Sequence, residues 1–125
     1  MKDNYLSTEK SIEVIVVGFD SVQFATIENT LDSILNIIDG YMEYIRIKDP
    51  YIIVCNEEGR YVSSKNRQLK YESGNVIDIY GRFLIVKYDY RKKVIISLSN
   101  DDFKLLNKFI ANLNKTNCMD VSLIK

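Results

Sequence analysis

Residues 50–83, PYIIVCNEEGRYVSSKNRQLKYESGNVIDIYGRF, decide how this chain folds. Tyr51-Ile52-Ile53-Val54-Cys55 is apolar without alternation, the pattern of a strand covered on both faces and therefore central in its sheet. The polar turn Asn56-Glu57-Glu58-Gly59-Arg60 breaks that run, and Tyr61-Val62 continue the extended chain after it. Residues 63–75 are polar, with Leu69 and Tyr71 as anchors and Ser73-Gly74-Asn75 as a turn, which predicts a loop over the sheet. Val76-Ile77-Asp78-Ile79-Tyr80 and Phe83-Leu84-Ile85-Val86 are strand-like on either side of Gly81, where a bulge, a bend or a close backbone approach is expected.

Upstream, Ser11-Ile12-Glu13-Val14-Ile15-Val16-Val17 and Val22-Gln23-Phe24-Ala25-Thr26-Ile27 read as strands, and Gly18-Phe19-Asp20-Ser21 between them predicts a hairpin turn. A helix follows: Asn29 or Thr30 offers a capping oxygen, and Asp32 complements the positive end of the dipole. Leu31, Ile34, Leu35 and Ile38 lie on one face, and Gly40 is the expected stop. Residues 41–48 alternate as a further strand ended by Asp49-Pro50. Downstream, Asp89-Tyr90-Arg91-Lys92 is a charged turn before the strand Val94-Ile95-Ile96-Ser97-Leu98. Ser99-Asn100-Asp101-Asp102 then caps a helix carrying Phe103, Leu106, Phe109, Ile110 and Leu113 at helical spacing. Residues 1–10 lack periodicity and predict a mobile leader; in the tail 114–125, Val121-Ser122-Leu123-Ile124 would add an edge strand.

These elements predict a single α+β domain over residues 1–125. It holds a mainly antiparallel sheet of about five to seven strands and two helices, at about 30–39 and 100–113. Only the crossing at 29–40 is long enough for a parallel connection.

Composition narrows the function classes. A chain of 125 residues, 46% hydrophobic with one Pro and five Gly, is neither disordered nor low in complexity, and it suits one core. Seventeen basic residues balance seventeen acidic ones, so no global field draws the chain to nucleic acid or anionic lipid, and any phosphate contact must be local. No stable nucleic-acid partner and no membrane partner are expected. Cys55 and Cys118 form neither a disulfide framework nor a metal-ligand spacing, so both are expected as free thiols in a reducing cytoplasm. MKDNYLSTEK lacks the apolar run of a signal peptide.

The chain has no histidine, which excludes Ser-His and Cys-His nucleophiles and any His-ligated zinc. Neither glycine-rich phosphate-loop pattern occurs. Glu57-Glu58 suits a solvated hairpin tip and Asp101-Asp102 a first helical turn; a carboxylate metal site would require Glu57, Glu58 and Asp78 to converge. No catalytic residue, metal ligand or cofactor is therefore assigned. What remains is a mixture of tyrosine and arginine. Tyr41, Tyr44, Tyr61, Tyr71 and Tyr80 lie near Arg46, Arg60, Arg67 and Arg82 in sequence, and a planar guanidinium beside a π-face can hold a phosphate and stack a base. Tyrosine is equally an ordinary half-buried strand residue. The ligand-binding candidates are Arg60, Arg67 and Arg82 for phosphate, Tyr41 and Tyr61 for stacking, and Asn56 and Asn66 for hydrogen bonds to a base or ribose.

The order of several segments resembles a known family. It comprises Leu31 with Asp39-Gly40-Tyr41-Met42-Glu43, Ile53-Val54-Cys55-Asn56-Glu57-Glu58-Gly59, Asn66-Arg67, Ile79-x-Gly81-x-Phe83-Leu84-Ile85-Val86 and a closing Leu98-x-x-Asp101-Asp102 helix. Over roughly residues 12–113 this resembles the bacterial and phage family catalogued as domain of unknown function 3846. The resemblance implies a small protein of phages and mobile elements, not an established enzyme. The expected function is a non-enzymatic accessory protein that binds and sequesters a small nucleotide-derived immune signal and so blunts host defence. The alternative is a protein–protein inhibitor of a host defence or transcription factor, which would present an exposed apolar patch and no ligand-sized pocket. A homo-oligomer, a dimer or higher, is expected because a small sheet leaves edges to cover.

Overall fold

A computed structural model describes residues 6–115 and 117–124. The chain runs through β1 (Ser11–Val17), β2 (Val22–Glu28), α1 (Leu31–Ile38), β3 (Met42–Lys48), β4 (Tyr51–Asn56), α2 (Gly59–Val62), β5 (Lys65–Lys70), β6 (Val76–Tyr80), β7 (Phe83–Asp89), β8 (Val94–Ile96), α3 (Asn100–Lys115) and β9 (Cys118–Asp120), and ends in a 3-10 turn, Val121–Leu123. The fold is a single α+β domain, mainly antiparallel, as the sequence predicts. The main sheet has the order β2-β1-β7-β4-β3, with β8 continuing along the far half of β7; a second sheet has the order β6-β5-β9.

The unalternated run at 51–55 explains the layering. β4 and β7 lie at the centre of the main sheet, and their side chains feed two cores back to back. On one face Ile12, Val14, Ile52, Val54, Leu84 and Val86 pack beneath Ile34 and Ile38 of α1. On the other, Ile15, Val17, Tyr51, Ile53, Phe83 and Ile85 pack against Leu69 and Ile79 of the second sheet and Leu106, Phe109 and Ile110 of α3. Each fully buried aliphatic side chain contributes roughly 1.5–3 kcal/mol relative to exposure.

Thr30 caps α1, its hydroxyl accepting from Ser33 N at 3.2 Å. Asn29, the other candidate cap, is instead buried, and its amide donates to Ser7 O, Ser7 Oγ and Glu9 O at 2.8–3.0 Å. That contact and a Leu6–Ile95 bridge tie the second half of the expected leader to the domain, whereas residues 1–5 lie outside the described residues. Asp39, not Gly40, takes the left-handed conformation that ends α1, at φ 59°. Gly40 is required for space, because a Cβ there would stand 2.4–2.7 Å from the side chain of Asn56. At the start of α3, Ser99 and Asp102 cap one another reciprocally (Ser99 N to Asp102 Oδ2, 2.7 Å; Asp102 N to Ser99 Oγ, 3.3 Å). Leu113, expected on the apolar stripe of this helix, has a side chain outside the described residues.

Four expectations are corrected. The polar stretch 63–75 is not a loop: it contains β5, which pairs with β6 and β9 in a second, three-stranded sheet beside the main sheet, whose six strands among the described residues match the expected five to seven. Tyr61 and Val62 belong to the helical turn α2 and not to a strand. The tail contributes its strand at 118–120, where Met119 is fully buried, and Val121–Leu123 is a 3-10 turn because the Asp120 carboxylate accepts from Ser122 N at 3.0 Å. The parallel pair is β5 with β9; β2 and β3, on either side of α1, occupy opposite edges of the main sheet. No helix among the described residues is long and apolar enough to cross a membrane.

Candidate ligand-binding cleft

Four chain reversals meet at the Asn56 end of β4. The β1–β2 turn supplies Gly18, Phe19, Asp20 and Ser21; the end of α1 supplies Ile37, Ile38 and Asp39; α2 and the residue after it supply Gly59, Val62 and Ser63; the β6–β7 turn supplies Tyr80, Gly81 and Arg82. Together with Asn56 they enclose an open cleft of about 520 Å³, within the range of small-molecule sites.

Close backbone approach builds the walls. Asn56 donates from Nδ2 to Asp39 O at 3.0 Å and accepts at Oδ1 from Glu58 N at 2.9 Å, so one side chain fixes both the end of α1 and the entry to α2. A Cβ on Gly59 would stand 2.9 Å from Tyr80 O, which holds α2 against β6 only while residue 59 is glycine. Gly81 takes φ 77°, a conformation other residues adopt only with strain, and turns the chain from β6 into β7. Arg82 donates from Nε to Ile37 O at 2.8 Å, meeting a terminal carbonyl of α1 where a cation also suits the helix dipole. The rest of its side chain is exposed at the cleft.

Beneath the cleft lies a polar brace. Asn66 is 5% exposed and its Nδ2 donates to Val17 O at 3.0 Å and Gly81 O at 2.9 Å. Arg67 is 4% exposed; its Nη1 donates to Phe19 O at 3.3 Å, to Asn66 O at 3.1 Å and, over a short contact, to Asn66 Oδ1. Its Nε has no hydrogen-bond partner among the described residues. Burial pushes the pKa of this guanidinium down, and the charge of Asp20 opposes that fall. The pair joins the ends of β1, the β1–β2 turn and the β6–β7 turn, all three of which face the cleft.

A second cleft of about 500 Å³ opens on the other side of α2, between β3–β4 and β6, and shares Asn56, Gly59 and Tyr80 with the first. Arg60 and Tyr61 line it together with Glu43, Glu57 and Asp78. Arg60 lies over the Tyr61 ring at 4.8 Å and donates to Tyr61 Oη at 2.7 Å, so the two sequence candidates bind each other.

The seven sequence candidates thus divide. Asn56 and Arg82 line the first cleft, and Asn56, Arg60 and Tyr61 the second. Asn66 and Arg67 line neither cleft: both are buried, and Asn66 Nδ2 and Arg67 Nη1 donate to backbone carbonyls, the correction burial imposes. Tyr41 is 73% exposed outside both clefts, and its carbonyl accepts from Glu57 N at 2.8 Å. Sequence reasoning missed Phe19 and Asp20, which it read as turn residues, and Asp39, which it read as the end of a helix; Tyr80 belongs to the tyrosine–arginine mixture but not to the seven candidates. Their common signal is position: Phe19, Asp39 and Tyr80 adjoin Gly18, Gly40 and Gly81 at the ends of elements, and Asp20 is one residue further along the Gly18 turn.

Chemically, the lining of the first cleft offers one cation, Arg82, two carboxylates, Asp20 and Asp39, and the rings of Phe19 and Tyr80. Among the described residues no group of three or more His, Cys, Asp or Glu side chains converges as a metal site. Cys55, on the wall of the second cleft, is buried, and desolvation followed by the charge of Glu43 pushes its thiol up to about 12, which leaves it protonated and inert.

Comparison with known proteins adds one match: a family model described as Domain of unknown function (DUF3846) covers residues 12–113. No curated protein and no solved structure matches the chain. Asp39, Asn56, Gly59 and Gly81, among the residues that carry the family resemblance, all line the first cleft, and Asn66-Arg67 braces it.

Proposed function

The chain belongs to the domain of unknown function 3846 family, and on that premise we propose that it is a non-enzymatic protein that binds, and by binding sequesters, a small nucleotide-derived molecule in the cleft between α1 and the β6–β7 turn. The observation that carries this reading is that Arg82, Asp20 and Asp39 line one ligand-sized cleft, whose walls leave no room for a side chain at Gly59. One guanidinium takes one phosphate as a bidentate partner, and carboxylates accept hydrogen bonds from ribose hydroxyls or base amino groups, as ribose-binding acids do elsewhere. A mononucleotide-like or cyclic nucleotide signal carries both kinds of group; a triphosphate would meet more negative charge than Arg82 can balance. The absence of histidine from the chain, which removes the commonest general base, favours retention of the ligand over its conversion. In a phage or mobile element such a protein would lower the free concentration of a host defence signal.

Titration calorimetry with cyclic dinucleotides and cyclic ADP-ribose isomers tests the proposal. Heat of binding with at least one ligand, lost in Arg82→Ala, is expected; no heat with any of them from folded protein overturns it.

A protein partner is the second reading, favoured by one observation. β6 is an outer strand of the second sheet and exposes Val76 and Ile77, an apolar edge of the kind that pairs with another chain. Val76→Lys would abolish such a contact and leave the calorimetric result untouched.

A further inference from the structure

A different surface lies at the opposite end of β4. On the α1 side of the main sheet, Tyr44 of β3, Tyr88 of β7 and Tyr90 just beyond it form a row, with ring centroids 5.9 Å and 4.9 Å apart. The row spans β4, whose residues at this level on that side are Ile52 and Val54. Arg46 lies over Tyr90, its guanidinium carbon 4.6 Å from the ring centroid, and its Nε donates to Tyr90 Oη at 3.1 Å. Tyr44 and Arg46 are both exposed, and the exposed turn Arg91-Lys92-Lys93 follows Tyr90 directly.

Charge is segregated between the two ends. Arg46, Arg91, Lys92 and Lys93 outnumber their three acidic neighbours: Asp49, 3.7 Å from Arg46; Asp89, whose carboxylate accepts from the backbone of Arg91 and Lys92; and Glu9, which lines a cavity with Asp89 and Lys92. At the other end the two clefts together hold Asp20, Asp39, Glu43, Glu57 and Asp78 against Arg60 and Arg82. The zero net charge therefore conceals a local basic corner.

We infer that this corner docks single-stranded nucleic acid, bases stacking on Tyr44 and on the Arg46–Tyr90 pair while Arg91, Lys92 and Lys93 meet the phosphates. Rings and guanidinium planes stack any base, so recognition would tolerate sequence. The surface is an open sheet face, suited to a strand that lies across it; a duplex, with its bases already stacked inside, would find only the cations. The inference stands whatever the cleft holds, because no residue is shared between the two sites.

Fluorescence anisotropy of a labelled 12-nucleotide oligouridylate, titrated with the full chain at 50 and 200 mM salt, tests it. Saturable binding is expected at the lower salt. Tyr44→Ala should weaken it about tenfold, the loss of one stacked base. In the double variant Arg91→Glu, Lys92→Glu, which changes only an exposed turn and so preserves the fold, the salt slope should fall in magnitude by about 1.4, two contacts at about 0.7 each. The same charge change on α3, Lys104→Glu with Lys108→Glu, should leave affinity and slope near the wild-type values. Absence of saturable binding at 50 mM salt overturns the inference. So does an α3 variant as impaired as the corner variant, or uridine monophosphate that competes at the concentration of the 12-mer.

Discussion

Replacing Asp102 by alanine removes one buried carboxylate that four groups share. Asp102 is 3% exposed, and its oxygens accept from Tyr51 Oη at 2.7 Å, Ser99 N at 2.7 Å, Ser99 Oγ at 2.9 Å and Lys87 Nζ at 3.1 Å. Truncation strands the hydroxyl of Tyr51, itself fully buried, at a cost of about 1–3 kcal/mol. It also removes half of the α3 cap, about 1 kcal/mol, and the partly solvated ion pair with Lys87, worth about 0.5–1 kcal/mol after screening. The sum is about 4 kcal/mol, or roughly 15 °C in Tm at about 4 °C per kcal/mol for a chain this long. Acid titration provides a second axis. Burial alone would raise the Asp102 pKa, but hydrogen bonds from Tyr51, Ser99 and Lys87 outweigh it and hold the carboxyl below the usual carboxylate range. A depressed folded-state pKa contributes stability that is complete above the unfolded value of about 3.9 and is lost as pH falls through the lower folded value. Urea melts of wild type and Asp102→Asn should therefore converge as pH drops below about 4. Asp120, which caps the 3-10 turn and is shifted the same way, stays present in both proteins, so the difference between the curves isolates Asp102. A loss under about 1 kcal/mol in Asp102→Ala, or parallel acid limbs in the two titrations, would refute the assignment of this network as a load shared by α3, β4 and β7.

Three further outcomes are expected. Gly59→Ala forces a Cβ toward Tyr80 O and should cost about 1–3 kcal/mol in chemical denaturation while abolishing ligand heat; wild-type stability would show that α2 can move freely from β6. Asn66→Ala removes both donors to Val17 O and Gly81 O, so a loss of about 2–4 kcal/mol is expected together with weakened binding, although Asn66 touches no cleft space; unchanged affinity would deny the brace its positioning role. In a Cys118→Ser background, Cys55 should resist iodoacetamide at pH 8 until urea unfolds the chain, because its thiol is buried and shifted up to about 12; native labelling at the rate of a free thiol would contradict that burial.

Apolar pattern made much of the fold legible. The unbroken run at 51–55 announced a strand buried on both faces, and the periodicities around Ile34 and Leu106 placed α1 and α3 within a residue or two. β5 was illegible for the same physical reason. Two of its three buried positions are Asn66 and Arg67, whose inclusion depends on carbonyls that the fold brings from β1 and the β6–β7 turn, and no local pattern encodes those partners. The site divided likewise. Asn56 and Arg82 could be picked out as polar residues beside turns, but Phe19, Asp20 and Asp39 join them only because four separate reversals end at one corner of the sheet. The basic corner at Arg46 and Arg91 was hidden by a balanced total charge, since composition counts charges without placing them.

The proposed sequestration is tested most directly by two-dimensional NMR of the 15N-labelled chain, titrated with the nucleotide-derived ligand that gives heat. Amide shifts concentrated at Gly18, Phe19, Asp20, Asp39, Gly81 and Arg82 are expected, with the ligand recovered chemically unchanged. Shifts confined to the Tyr44 and Tyr90 corner, or ligand converted to product, would contradict it.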